Sequence, residues 1–159
     1  LSSITALPTG VGGKVLQVAQ AVSTSVVAIA STSYTDTGIT LAITPSSSSN
    51  KILVIISMQY TAYMDNNGTI TSTGRILRGS TEIFETQQFL GSQVGTGSHG
   101  YQQTWGTLAL SYLDSPSTSG SSITYKLQAL NNTTSGNRQL KVNDSSVGKS
   151  TITLMEVSA

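Results

Sequence analysis

The chain has no cysteine, one histidine, one tryptophan and three prolines, and only 9% of its 159 residues are charged. Each scarcity closes off a class of chemistry. Without cysteine there is no disulfide scaffold, thiol nucleophile, thiolate zinc site or iron–sulfur cluster, although the redox compartment stays open. Eight Lys and Arg are scattered against seven Asp and Glu, for a net charge of +1. No basic stripe exists to neutralise a run of phosphates, so nucleic acid is not an expected partner. The longest apolar run, Ile52–Ile56, is far short of the ~20 residues that span a bilayer as a helix. The N-terminus has no basic region followed by an apolar stretch, and no membrane insertion is expected.

Hydroxyl groups are what the chain has in excess, with 26 Ser and 23 Thr. Thr and Val suit a half-buried pleated strand because their branched Cβ packs well there, whereas Ser, Gly and Asn favour turns, where they bond the local backbone. The residues sort in this way. Apolar residues fall in short alternating runs separated by Ser/Gly/Asn clusters, which predicts a folded domain and not a disordered Ser/Thr tail. At this length one domain is expected, able to bury about 68–70% of its unfolded surface without staples. Residues 1–13, broken by Pro8, Gly10, Gly12 and Gly13, read as a linker, and 14–159 as the domain. The start at Leu1 instead of Met suggests a fragment or processed form of a longer protein whose upstream portion is missing.

Strands are predicted from Lys14 to Gln20, within Thr24–Ser33, and over Ile39–Thr44, where Ile39, Leu41 and Ile43 share one face. Lys51–Tyr63 reads as a central strand, apolar on both faces in its first half. Asn67-Gly68 then predicts an antiparallel hairpin over Tyr60–Ser72. Further strands read at Gly74–Arg78, Thr81–Phe89, Tyr101–Leu113, Ile123–Leu130, Gln139–Asn143 and Thr151–Val157. No segment holds a helical period and no repeat is present, so the fold class is an all-β antiparallel sandwich. The expected core comprises Ile39, Leu41, Ile43, Ile52, Val54, Ile56, Leu127, Ile152 and Leu154.

Catalytic constellations are hard to assemble. His99 lies in a Gly/Ser loop without a nucleophile elbow. Glu82 and Glu85 are the one close carboxylate pair, and strand positions three apart point to opposite faces, so they should not converge. The DNNGT stretch from Asp65 lacks the further acidic ligands of a calcium loop. No enzyme activity, cofactor or metal is expected. Aromatics are the better signal: Tyr60, Tyr63, Tyr101, Trp105 and Tyr112 lie in or beside strands, and ring faces beside amide donors are the usual apparatus for holding a sugar. The candidate ligand-binding residues are His99, Tyr101, Gln103 and Trp105, at the exit of the Gly-rich loop from Gly91 to Gly100. Core or subunit packing is the alternative role for these rings.

Five stretches together resemble the C-terminal domain of tail fibres and other virion structural proteins of marine and cyanobacterial tailed phages: GKVLQVAQA (Gly13–Ala21), SSSSNKILVIIS (Ser46–Ser57), RILRGSTEIF (Arg75–Phe84), SYLDSPSTSGSSITYKLQ (Ser111–Gln128) and STITLMEVSA (Ser150–Ala159). The resemblance implies a jelly-roll head of the general plan of the trimeric tumour-necrosis-factor and C1q heads, at a fibre tip, non-enzymatic, with host recognition in loops such as Gly91–Gly100 and Asn131–Asn137. Surplus apolar strand surface independently suggests a homotrimer. The expected partners are therefore its own copies, a host cell-surface glycan or protein, and other virion proteins through the upstream segment. The alternative is a structural virion component, a head fibre or capsid decoration, without a host receptor.

Overall fold

The computed structural model describes residues 14–64, 69–93, 102–133 and 138–159. The strands are β1 (Val15–Ser23), β2 (Val27–Ile29), β3 (Thr35–Ile43), β4 (Lys51–Met64), β5 (Thr69–Arg78), β6 (Thr81–Gln93), β7 (Gln102–Asp114), β8 (Ile123–Asn131), β9 (Gln139–Val142) and β10 (Ser150–Val157). All pairings are antiparallel, and the described residues contain no helix.

Two sheets face each other. Sheet I is six-stranded: its path runs β1-β10-β4-β9-β2, and β7 pairs with the far edge of β4. Sheet II is four-stranded, ordered β3-β8-β5-β6. Along β4, Lys51–Ser57 pairs with β10 and Tyr60–Tyr63 with β9, so β9 and β10 are two halves of one strand position; β1 and β2 divide the next position in the same way. Merging the halves leaves four positions per sheet, with the chain crossing between sheets at every connection except the one from β5 to β6, which is the jelly roll expected from the resemblance.

Alternation makes the core. The even-numbered residues of β4 from Ile52 to Met64 point inward and are all buried. They meet Ile152 and Leu154 of β10, Leu140 and Val142 of β9, and, from sheet II, Ile39, Ile43, Ile70, Ile76, Tyr125, Leu127 and Ala129. The expected core residues occupy these places except Leu41, which is only half-buried and packs on the margin.

Other expectations need correction. The hairpin over Tyr60–Ser72 does not form: β4 has β10 and β9 on one edge and β7 on the other, so β5 crosses to sheet II and pairs with β6 and β8. The Asn67-Gly68 turn itself lies outside the described residues. The true hairpin joins β5 to β6 through Gly79-Ser80, with Gly79 at φ 60°, a conformation glycine adopts without steric cost. Of the segment Thr24–Ser33 only Val27–Ile29 is strand, because β9, its partner, is itself short.

Buried polar groups lock the lower end of the sandwich. Asp114 of β7, 5% exposed, accepts two bonds from Arg78 Nη1 at 2.9 and 3.0 Å and one from the Tyr125 hydroxyl at 2.7 Å, tying β5, β7 and β8 across the two sheets. Burial and this bond to Asp114 push the Tyr125 phenol well above its ordinary pKa. Glu156 of β10 is fully buried and accepts from Asn50 Nδ2 (2.6 Å), Gln17 Nε2 (2.6 Å), Ser46 N (2.7 Å) and Ser46 Oγ (2.8 Å). Burial raises its pKa, but these four donors outweigh it and hold the carboxyl down to about 2.

Candidate functional site

Because side chains alternate across a sheet, one face of sheet I belongs to the core and the other to the surface. On the outer face Val18, Met155, Leu53 and Leu113 stand in register across β1, β10, β4 and β7, and Gln20, Thr153, Ile55 and Ser111 form the next row. Val18 is 57% exposed, Leu113 49% and Ile55 37%. The result is an apolar band on an otherwise hydroxyl-rich surface.

Toward the other end of the same face the chemistry changes. Trp105 sits opposite Thr61, and Gln103 opposite Tyr63, both on the outer face of β7. The Trp105 ring is 57% exposed, and its Nε1–H donates to Ser146 Oγ at 3.1 Å, which in turn lies 3.2 Å from Thr61 Oγ1. Ser146 belongs to the segment between β9 and β10, which passes over this half of the sheet and explains why Thr61 and Tyr63 are buried on an outer face. Lys141 Nζ lies 4.4 Å from the Tyr63 ring centroid, a cation–π contact, and the Thr107 hydroxyl donates to Gln59 Oε1 at 2.8 Å. An exposed indole held at its edge by a serine, beside an exposed amide, is an arrangement on which a flat apolar ligand face can stack. Of the sequence candidates, Gln103 and Trp105 thus share a face; His99 and Tyr101 lie outside the described residues.

Tyr60 and Tyr112 are not part of this surface. Tyr60 points into the core, edge-on to Phe89 at 5.6 Å, and Tyr112 packs against Phe84 at 5.5 Å. Gly106 makes room for Tyr60: a Cβ there would run into the phenol ring.

The outer face of sheet II carries a polar network that strand spacing alone does not reveal. Asp36, Gln128, Arg75 and Glu85 form one register row across β3, β8, β5 and β6. Gln128 donates to Asp36 Oδ1 (2.6 Å) and accepts from Arg75 Nε (2.9 Å) and Nη2 (2.7 Å). The Arg75 guanidinium lies 3.9 Å from the Tyr34 ring centroid and donates to Glu82 Oε2 at 3.0 Å, while the Tyr34 hydroxyl donates to Glu85 Oε2 at 2.7 Å. Lys126 Nζ lies 3.0 Å from Asp36 Oδ1 and 3.1 Å from Oδ2. The bond from Gln128, aided by Lys126, lowers the Asp36 pKa; burial, then the bond to Glu85, raises that of Tyr34. The expectation that Glu82 and Glu85 diverge is corrected here. Irregular register places Ile76 opposite Phe84 but Leu77 opposite Glu82, so β6 bulges between them and brings both carboxylates to the Arg75–Tyr34 pair. The sequence signal was there in part, in the outward alternation of Lys126 and Gln128 along β8, but their partners lie on other strands.

Among the described residues no group of three or more His, Asp or Glu is placed to hold a metal ion. No protein-family model matches the chain, and no curated protein matches its sequence. Solved structures do show a faint likeness. VP2 of infectious bursal disease virus in a subviral particle is 12% identical, with a TM-score of 0.34, over 90% of this chain and 38% of that one. A mutant VP2 of that virus in derived T=1 particles gives 12% identity and 0.31 over 90% and 36%, and the structure of the Gt strain gives 10% and 0.32 over 100% and 43%. The chain therefore spans well under half the length of these viral chains, and a likeness this faint bears on neither function nor assembly.

Proposed function

We propose that this domain is a non-enzymatic head of a virion fibre that associates with its own copies as a homotrimer and contacts a host cell-surface glycan or protein. The observation that carries the reading is the apolar band across sheet I: Val18, Met155, Leu53 and Leu113 in one row, with Ile55 in the next. A contiguous row of this kind is more than a lone sandwich leaves in water, and a symmetric oligomer buries it. The edge of β7 adds to it. From Trp105 to Leu113 β7 is uncharged and, among the described residues, pairs with β4 alone in unbroken register, lacking the charges and bulges that keep edges from pairing.

Association through sheet I leaves the outer face of sheet II toward solvent, free to meet a host surface. Every carboxylate of the described cluster around Arg75 already accepts a hydrogen bond or an ion pair, which suits a holding surface better than proton transfer. Light scattering tests the assembly: the expected mass is about 50 kDa, three times 16.5 kDa. Leu53→Asp combined with Leu113→Asp should return it to the monomer mass. A wild-type monomer at micromolar concentration would overturn the proposal. Imaging of labelled protein on candidate host cells, with and without stripped surface polysaccharide, tests the adhesive half.

A further inference from the structure

The polar row on sheet II ends in a pocket. Between Asp36 and Thr40 the register of β3 against β8 slips, so that the residues between them face a single partner position at Leu127. Gly38 takes φ 78° in this bulge, and Thr37 turns inward to donate its hydroxyl to the Leu127 carbonyl at 2.8 Å. The distortion opens a cavity of about 120 Å³ lined by Asp36, Gly38, Ile39, Thr40, Lys126 and Leu127. Ile39 and Leu127 turn their side chains into the core, and the rim carries the Asp36 carboxylate and the Lys126 ammonium, while the Thr40 hydroxyl donates to the Tyr125 carbonyl at 3.2 Å.

We propose that this pocket holds the edge of one ring of a neutral glycan, with Asp36 accepting from one hydroxyl and Lys126 donating to its neighbour. The assignment rests on the adhesive reading and names its ligand class. Three features favour a neutral sugar. Asp36 and Lys126 are fixed before any ligand arrives, Asp36 by Gln128 and Lys126 by Asp36, so little ordering remains to be done on binding. A hydroxyl both donates and accepts, and so can satisfy an adjacent carboxylate and ammonium at once without adding charge. The surrounding cluster holds Asp36, Glu82 and Glu85 against Arg75 and Lys126, an excess of negative charge that repels a sugar acid.

The test is an amide-resolved NMR titration of the whole domain with maltotriose, mannotriose and a rhamnose trisaccharide, using sialyllactose as the anionic control. The expected result is saturable shifts centred on Asp36, Gly38, Thr40 and Lys126 for at least one neutral sugar and none for sialyllactose. Asp36→Asn should weaken that binding tenfold or more. Thr40→Trp, which fills the pocket from an exposed strand position, should abolish it, with Thr40→Val as the control that loses the same hydroxyl bond to the Tyr125 carbonyl (3.2 Å) without filling the pocket. Shifts confined to the Trp105 face, no shift with any of the sugars, or undiminished binding in both Asp36→Asn and Thr40→Trp would overturn the assignment. Cell binding that survives Thr40→Trp would sink this site while leaving the adhesive reading intact. Sugar shifts at the pocket without any binding to cells would uphold the site and sink the adhesive reading.

Discussion

Glu156 is a buried carboxylate that accepts hydrogen bonds from Asn50, Gln17 and Ser46, all neutral donors. Its stability contribution has a definite sign. The folded pKa, about 2, lies below the ordinary 4.5, so the contribution is full above about pH 4.5 and is lost as pH falls from there toward 2. Urea midpoints across this range should fall more steeply for the wild type than for Glu156→Gln. Glu156→Ala takes the carboxylate from the buried Asn50 amide and should cost about 1–3 kcal/mol there, whereas Gln17 and Ser46 are exposed to water and Gln17 keeps its bond to the Thr44 carbonyl. A second residue-scale case is Gly106, where Gly106→Ala forces a methyl against the Tyr60 ring; denaturation should show a loss of about 1–3 kcal/mol, shrinking in a Tyr60→Leu background. Trp105 differs from both, since its ring is 57% exposed and its bond to Ser146 lies at the surface. Trp105→Ala should leave the melting temperature nearly unchanged, and a drop in cell binding would mark the indole as a contact.

At the scale of the element, strand interiors obey the alternation that the sequence displays. Leu127 and Ile152 lie at 0% and 1% exposure on facing sheets, and Leu127→Ala or Ile152→Ala should each cost about 2–5 kcal/mol in chemical denaturation. The faces of β4, β8 and β10 were legible because a period of two is written into Ile52, Val54 and Ile56, into Tyr125 and Leu127, and into Ile152 and Leu154. Which strand lies beside which was not, since hydrogen-bond partners along a jelly roll are distant in the chain and leave no local mark. The Asn67-Gly68 pair promised a hairpin, but both edges of β4 were already taken. Bulges were equally silent: one slipped residue in β6 turns Glu82 and Glu85 to a common face, and the slip around Gly38 opens the pocket. Of the candidate site, Trp105 and Gln103 could be found as an aromatic and an amide two positions apart, whereas the Asp36–Gln128–Arg75–Glu85 row required the register of four strands.

For the molecule as a whole, the two outer faces divide the work in the proposed reading, sheet I toward other copies and sheet II toward a ligand. If copies associate only when folded, the apparent melting temperature should rise with protein concentration, and the Leu53→Asp/Leu113→Asp variant should lose that dependence; scanning calorimetry over a hundredfold range of concentration measures it.

The position of β10 has a further consequence, in the order of events during synthesis. β10 lies between β1 and β4 in space yet follows every other strand in the chain. While the ribosome is still making the segment up to Lys149, β1 has no neighbour from β10 and the first half of β4 has an open edge, both apolar and ready to pair with whatever is near. Sheet I closes only when these last eight strand residues emerge, so most of the domain must wait, uncommitted, for its final strand, and a nascent chain arrested at Lys149 should remain protease-sensitive where one released past Val157 does not.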